Sequence, residues 1–413
     1  MSVTANAQLR GHGGPVRALA VSADGRILMS GSFDTSAIRW SLERHAAEDV
    51  LRFHDGAVNA VVLLKDGTAA TGGDDARIAI WSPHEQMPRR VLEGHRAPVV
   101  ALAVSGDGRF LASASWDHTA RLWPLDGGAP RLLAGHSQNV NGVSFTPDGR
   151  AVVTSGYDAT LRVWPLFGDD TPLIATLPTP LNAVAIAPDG EIITAGADGK
   201  IYLLSAAGER RGEVAAEGTP IVAIALSGDG RRIAAAGIRG SVTILDRVAR
   251  RVERTLIGPG APVWSVAFLP DNRTLLAGGA DRTIRRWDTT TGEPMDGLAA
   301  GGIDDPLAAY AGDPGAEVFR ACIACHALGP NDGNRAGPTL AGIFGRRIAT
   351  LPGYNFSAAL KALEIVWTPE TVSKLFEVGP AEFTPGTKMP EQRIGSLADR
   401  AALVHFLERA TAR

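Results

Sequence analysis

Short apolar runs flank polar turns from about residue 8 to residue 298. Val16–Val21 and Ile27–Ser30 bracket the turn "SADGR", and the same arrangement recurs around "LKDGT", "SGDGR", "TPDGR", "APDGE", a second "SGDGR" and "LPDNR". Strand-length runs on either side of such turns predict short antiparallel strands. Each segment closes on a bulky residue: Trp40, Trp81, Trp123, Trp164, Leu204, Leu245 and Trp287, at spacings of 41, 42, 41, 40, 41 and 42. Six agreeing intervals predict seven copies of one unit. After Trp287-Asp288 the rhythm stops. "AAGGIDDPLAAYAGDPG" reads as a linker, and the pattern beyond it turns helical over Glu317–Cys322, Phe356–Leu363, Pro369–Val378 and Leu397–Ala410. Asp399 falls in the first turn of the last of these, where a negative charge suits the helix dipole. The division predicted is therefore 1–298 for the repeats, 299–312 for the linker and 313–413 for a helical domain.

A period near 40 with four short strands per unit resembles the WD40 family of propellers. Four units carry a histidine near their start, in "GHGGPV", "FHDGAV", "GHRAPV" and "GHSQNV". The resemblance implies four buried hydrogen-bonded sets: His12–Ser30–Asp34–Trp40, His54–Thr71–Asp75–Trp81, His95–Ser113–Asp117–Trp123 and His136–Thr154–Asp158–Trp164. Unit six has Arg239 at the position where the other units have aspartate. Either Thr4–Arg10 or Pro294–Ala299 could supply the outer strand of the last blade, and the N-terminal segment is the one expected.

A chain of 413 residues exceeds what one core usually supports. Its 45% hydrophobic and 21% charged residues are an ordinary globular balance. The net charge of −3 argues against a nucleic-acid partner. No apolar run reaches the roughly 18 residues a spanning helix needs. The first residues lack the basic and apolar regions of a leader, yet Ala5-Asn6-Ala7 reads like the small-residue end of a cleavage site.

The two cysteines of the chain stand together in "ACIACH", residues 321–326. A zinc site would need about four ligands, and no second cysteine pair or HxxxH follows. A thioredoxin-like redox pair would sit beside a βαβ pattern, which is missing. Chance and C-x-x-C-H as a c-type haem attachment signature remain. The flanking sequence bears on that choice. "GAEVFRACIACH", "AGPTLAGIFGRR", "LPGYNFSAALK", "WTPETVSKLFEVGPAEFTPGTKMP" and "DRAALVHFLERAT" resemble, in order, the motifs of class I cytochromes c of the mitochondrial and c2 kind. The fold expected is thus a seven-bladed all-β WD40 propeller followed by a small all-α class I cytochrome c domain.

The resemblance implies one covalently held haem c. Cys322 and Cys325 would form the thioethers, His326 would be the proximal iron ligand and Met389 the distal one. Pro338 would accept the histidine's other N–H, a bond that orients the ring. Arg346, Trp367 and Thr387 match positions that bind or neutralise the haem propionates. Gly315, Phe319, Leu403 and Phe406 match the packing of the terminal helices. Phe356 falls where the family has a propionate-bonding tyrosine, and Ser357 is a candidate substitute. With both axial positions filled, the implied role is electron transfer rather than catalysis.

The propeller offers a candidate partner surface at Arg17, Phe33, Trp116, Tyr157 and Trp264, residue types that interfaces favour. Scattered exposed aromatics are also normal. The partners expected are a redox protein donor and acceptor. An alternative is an oxidoreductase whose propeller holds a substrate or second cofactor and passes electrons to the haem. Attachment of c-type haem outside the cytoplasm implies a bacterial periplasmic location, which connects with Ala5-Asn6-Ala7.

Overall fold

The computed structural model describes residues 8–167, 171–216, 218–258, 262–295, 307–320, 322–323, 326–329, 337–352, 354, 356, 358–385, 387, 389 and 393–412. Cys325, Ser357, Ala5-Asn6-Ala7 and linker residues 299–306 lie outside them.

The repeats form seven four-stranded antiparallel sheets, each meandering outward from an inner strand. Blade one consists of Val16–Val21, Ile27–Ser32, Ser36–Ser41 and Ala46–Arg52. Blades two to seven open on Val58–Leu63, Val99–Val104, Val140–Phe145, Leu181–Ile186, Ile221–Leu226 and Val263–Phe268. The core is not one mass but a ring of clusters, each made by two neighbouring blades. Trp40 packs with Leu276 and Ile284 of blade seven, Trp81 with Met29 and Leu51 of blade one, and Trp287 with Ile244 and Leu256 of blade six. The closing tryptophan of the period is thus the side chain that fills the gap between blades. At the two units without one, Leu204 and Leu245 occupy equivalent clusters.

The ring must close, because an open sheet edge is a pairing hazard. Two segments share the task. Leu9 and Arg10 pair with Ile284 and Thr283 at one end of the strand Thr283–Asp288. At its other end Pro294 bridges Trp287, and the Met295 N–H donates to the Arg286 carbonyl at 2.9 Å. The two candidates are therefore not alternatives: Leu9–Arg10 forms the outer strand, as expected, and Pro294 covers the rest of the same edge.

All four histidine sets form. Trp40, Trp81, Trp123 and Trp164 donate from Nε1 to Ser30, Thr71, Ser113 and Thr154 at 2.7, 3.0, 2.8 and 2.9 Å. The same hydroxyls lie 2.7–2.8 Å from Nε2 of His12, His54, His95 and His136. Each Nδ1 faces Asp34, Asp75, Asp117 or Asp158 at 2.8–3.0 Å. A hydroxyl that accepts from tryptophan has its proton left for Nε2, so the ring proton sits on Nδ1 and donates to the carboxylate. Every hydroxyl and ring nitrogen of these four sets then has a partner, which is what makes its burial tolerable.

Burial alone would push these aspartates up. The paired histidine, helped by a nearby hydroxyl or, at Asp75, by Arg77, outweighs it and holds Asp34, Asp75 and Asp117 well below the usual carboxylate range. Asp158 is lowered by Thr160 and His136 against the same opposing burial. Burial pushes the His136 imidazole down from 6.5, with Asp158 pulling the other way. In every one of these groups the folded value lies below the unfolded one. The unfolded chain therefore binds protons more readily, and stability is lost as pH falls. The expected result is a propeller melting temperature that is flat above pH 6.5. It begins to drop below 6.5 through His136, and drops more steeply below 3.8 as the unfolded aspartates take up protons. Melting followed by tryptophan fluorescence from pH 8 to pH 3 checks this; a curve that stays flat to pH 3 contradicts it.

The C-terminal domain contains α1 (Pro314–Phe319), α2 (Ala358–Lys361), α3 (Pro369–Val378), α4 (Pro380–Phe383) and α5 (Leu397–Ala410). The limits of α3 and α5 match the sequence expectation. Thr368 and Thr371 make a reciprocal capping box at the start of α3. Ser396 caps α5, which puts Asp399 in its first turn. By contrast, α1 begins three residues before the expected Glu317, because the Asp313 side chain accepts from the Gly315 and Ala316 N–H groups and Pro314 is preset for the first turn. It also ends earlier, at Phe319. α2 is shorter than expected, and α4 was not expected: Gly379, at φ 100°, ends α3, and the chain restarts at Pro380. α1 crosses α5 with Phe319 against Phe406 at 5.4 Å, and Tyr310, in the stretch read as linker, sets its ring edge on Phe406 at 5.1 Å. Leu307 is buried in the same core. No helix among the described residues is long and apolar enough to cross a membrane.

Candidate functional site

One cavity in the C-terminal domain gathers most of the residues singled out in the sequence. Cys322, His326, Pro338, Arg346, Trp367, Thr387 and Met389 all line it. The rest of the wall is largely apolar, with Phe319, Leu340, Ile343, Leu375, Phe376, Leu403 and Leu407 among its members.

Local backbone bonds set these side chains in place. Cys322 N–H donates to the Phe319 carbonyl at 2.7 Å, and His326 N–H to the Cys322 carbonyl at 2.9 Å, so the cysteine motif continues from α1 as a helical turn. His326 Nδ1 lies 2.8 Å from the Pro338 carbonyl oxygen. A carbonyl can only accept, so Nδ1 carries the proton, and Nε2 is the nitrogen able to bind a metal. Gly337 lies against the flat of the imidazole: a Cβ there would come within 2.3 Å of Cε1. Only glycine lets the chain pass that close to the ring.

Arg346 and Trp367 sit on facing segments joined as a short antiparallel pair, with Gly345 N–H to the Trp367 carbonyl at 2.8 Å and Trp367 N–H to the Arg346 carbonyl at 2.9 Å. The Arg346 guanidinium donates to the Ala341 and Thr339 carbonyls at 3.0 and 3.1 Å. Thr387 accepts from the Met389 N–H at 3.2 Å, and its own N–H donates to the Thr384 carbonyl at 3.0 Å. Thr387 thus fixes the backbone that carries Met389, a duty the sequence did not indicate. Tyr354 also lines the cavity, with its ring against Phe356 at 4.7 Å. It brings a hydroxyl to the region where Phe356 has none, and sequence reasoning passed over it in favour of Ser357.

These residues fit the haem that the sequence implies. An imidazole with its proton locked on the far nitrogen and a thioether reach one apolar slot, and Cys322 stands on its rim, buried to 8% exposure. That donor set is the one used by c-type cytochromes. Among the described residues no group of three or more His, Cys, Asp or Glu could hold a metal ion.

The candidate partner surface divides in two. Phe33, Trp116 and Tyr157 are exposed at equivalent points of blades one, three and four, with Ile238 at the same point of blade six. Trp116 is braced by its Nε1–H to Asn141 Oδ1 at 3.1 Å. Arg17 and Trp264 instead engage each other. The guanidinium lies 5.8 Å from the indole centroid and donates to the Trp264 carbonyl at 3.4 Å. Burial pushes the Arg17 guanidinium down, against the pull of Asp74. A bulge in each inner strand accounts for the difference. The register shifts between Val16 and Ala18, and likewise around Asn59, Val100, Asn141, Asn182, Val222 and Trp264. The extra residue is turned out of the ladder. Asn141 and Asn182 use that freedom to donate to the Leu181 and Ile221 carbonyls of the following blade, at 3.0 and 2.8 Å. These positions therefore tie neighbouring blades together.

Comparison with known proteins divides the chain at the same place. The family model described as "WD domain, G-beta repeat" matches residues 4–41, 48–82, 86–124, 129–165, 172–204 and 250–288. The interval it passes over includes Arg239, at the unit that lacks the aspartate. The cytochrome c family model matches residues 312–411. The C-terminal domain is 36% identical over 99 residues to cytochrome c of Sesamum indicum, covering 24% of this chain and 88% of that protein. It is 38% identical over 98 residues to cytochrome c of Stellaria longipes, covering 24% and 90%. Against cytochrome c2 of Blastochloris viridis it is 38% identical over 98 residues, covering 22% and 76%.

Proposed function

The chain belongs to the WD40-repeat family over its propeller and to the cytochrome c family over its C-terminal domain, a haem electron-transfer module, and from that premise we propose a carrier with a single haem. Cys322 and Cys325 would hold the haem covalently, and His326 and Met389 would coordinate its iron. The propeller serves as a platform for a redox protein, with Phe33, Trp116 and Tyr157 as its exposed contacts. The protein works in the bacterial periplasm, where c-type haem is attached. The observation that carries this reading is the convergence of His326, its Nδ1 proton held by Pro338, with Met389 on one apolar cavity.

The haem supplies a one-electron couple at iron; the chain supplies the setting. Pro338 makes His326 a stronger donor by accepting its Nδ1–H. Thr387 holds the Met389 backbone in register. The apolar wall keeps water from the reacting centre, so few charges and dipoles must rearrange when an electron arrives.

The test is the optical spectrum, oxidised and reduced, of the full chain produced behind a leader together with haem-attachment machinery. A low-spin spectrum, indifference to carbon monoxide and haem that stays with the denatured chain support the carrier. A high-spin spectrum, or ready binding of carbon monoxide, means an open iron position, and the carrier reading fails.

A further inference from the structure

The cavity that holds His326 and Met389 is not walled by the C-terminal domain alone. Arg52, the last residue of the outer strand of blade one, also lines it, the one propeller residue that does so among the described residues. The loop residues 347–351 and Tyr354 line the same cavity. We propose that the propeller completes the haem site: Arg52 closes one side of the cavity and places a positive charge by the haem that sets its reduction potential.

Arg52 is well placed for such a task. Its backbone is fixed, because Arg52 pairs with Ser36, while Leu51 before it is buried and Phe53 after it packs edge-on against His54 and Trp81. The arginines of the C-terminal domain at the same cavity have work in their own loops. Arg346 donates to the Ala341 and Thr339 carbonyls, and Arg347 reaches the Leu363 carbonyl at 3.4 Å and Glu364 at 3.6 Å. A guanidinium is always charged and suits carboxylates, which a haem carries on its edge. A half-buried charge beside a low-dielectric cavity is screened less than one on open surface. Charge of this sign favours the reduced form, which bears one positive charge fewer. The propeller is thus part of the redox unit and covers one approach to it, so a protein partner reaches the haem from elsewhere.

This inference rests on the haem reading above, and its test keeps the two apart. In the haem-loaded full chain, Arg52→Gln should lower the reduction potential, while Arg52→Lys, which keeps the charge, should stay near the unaltered protein. The gap between them should shrink as salt is added. A structural role alone would not follow charge or ionic strength. A second readout needs no haem: in the Arg52→Glu chain, amide hydrogen exchange over residues 347–351 should speed up several-fold. An unchanged potential at low salt with an intact spectrum, or unchanged exchange over 347–351, overturns the proposal. Failure of the unaltered protein to bind haem sinks the carrier reading, and leaves the exchange experiment to decide on Arg52.

Discussion

On the ligation proposed above, replacing Met389 with alanine should turn the reduced haem high-spin, let it take up carbon monoxide and lower its reduction potential steeply. Met389 packs against the domain core, and its backbone is tied to the Thr387 hydroxyl. Alanine keeps that backbone bond but cannot reach the metal. Under that proposal the loss of the thioether would remove a ligand that favours reduced iron, and axial ligands span a range of roughly 0.8 V in potential. The side chain is also a packing element, so the domain should lose about 2 kcal/mol or more of stability. Spectroscopy separates the two effects. A Met389→Ala protein that stays low-spin and refuses carbon monoxide would mean that another side chain is the distal ligand.

Gly315→Val should abolish the haem domain while leaving the propeller standing. A Cβ on Gly315 would lie 2.1 Å from the Ala402 carbonyl oxygen and 2.5 Å from the Phe406 Cβ, both in α5. Neither is the loose end of a flexible side chain, so α1 and α5 must separate. That separation uncovers Phe319, Leu403 and Phe406, all buried at 1% exposure or less. Overpacking usually costs about 1–3 kcal/mol, and here the clash is with a helix backbone at the centre of the domain, so the cost should exceed that range. His326 is tied through Cys322 to the end of α1, and the ligand turn is lost with the helix. The expected readout is loss of the low-spin haem spectrum with the propeller's tryptophan fluorescence transition unmoved. A normal low-spin spectrum and unaltered domain stability in this variant would contradict the crossing described here.

Most of the architecture was legible because it repeats. A closing tryptophan, or Leu204 and Leu245 in its place, every 40 or so residues marks the filler of each inter-blade cluster, and the histidine–hydroxyl–aspartate–tryptophan sets can be written out in full from the sequence. His326, Pro338 and Met389 were legible for another reason: their motifs fix each residue to a loop or helix end, and the cavity is where those ends meet. What escaped was whatever depends on two distant segments at once. The sharing of the last blade's edge by Leu9–Arg10 and Pro294 cannot be read from either segment. Arg17 and Trp264 look like free surface until the bulge turns them toward each other across the seam. Arg52 lies far in sequence from the cavity it lines. Tyr354 was not legible although it stands two residues from Phe356, because it lies off the family position and only the fold brings it to the cavity. Helix limits erred where a cap decided them: Asp313 draws the start of α1 forward, and Gly379 breaks α3 and permits α4.

The closing seam also dictates an order of events during synthesis. Leu9 and Arg10 leave the ribosome before any of the blades but pair with Ile284 and Thr283, which come nearly last among the repeats. Blades one to six can each form as a local meander, whereas the seventh stays incomplete, and the first strand waits without its neighbour until the whole ring has been made. Contacts so far apart in sequence are slow to form, and unpaired strand edges invite association while they wait. The haem-binding segment is made after all of this. A nascent chain stalled before Asp288 would thus present two open edges and no means of holding haem, which makes the interval before closure the time when this protein most needs protection.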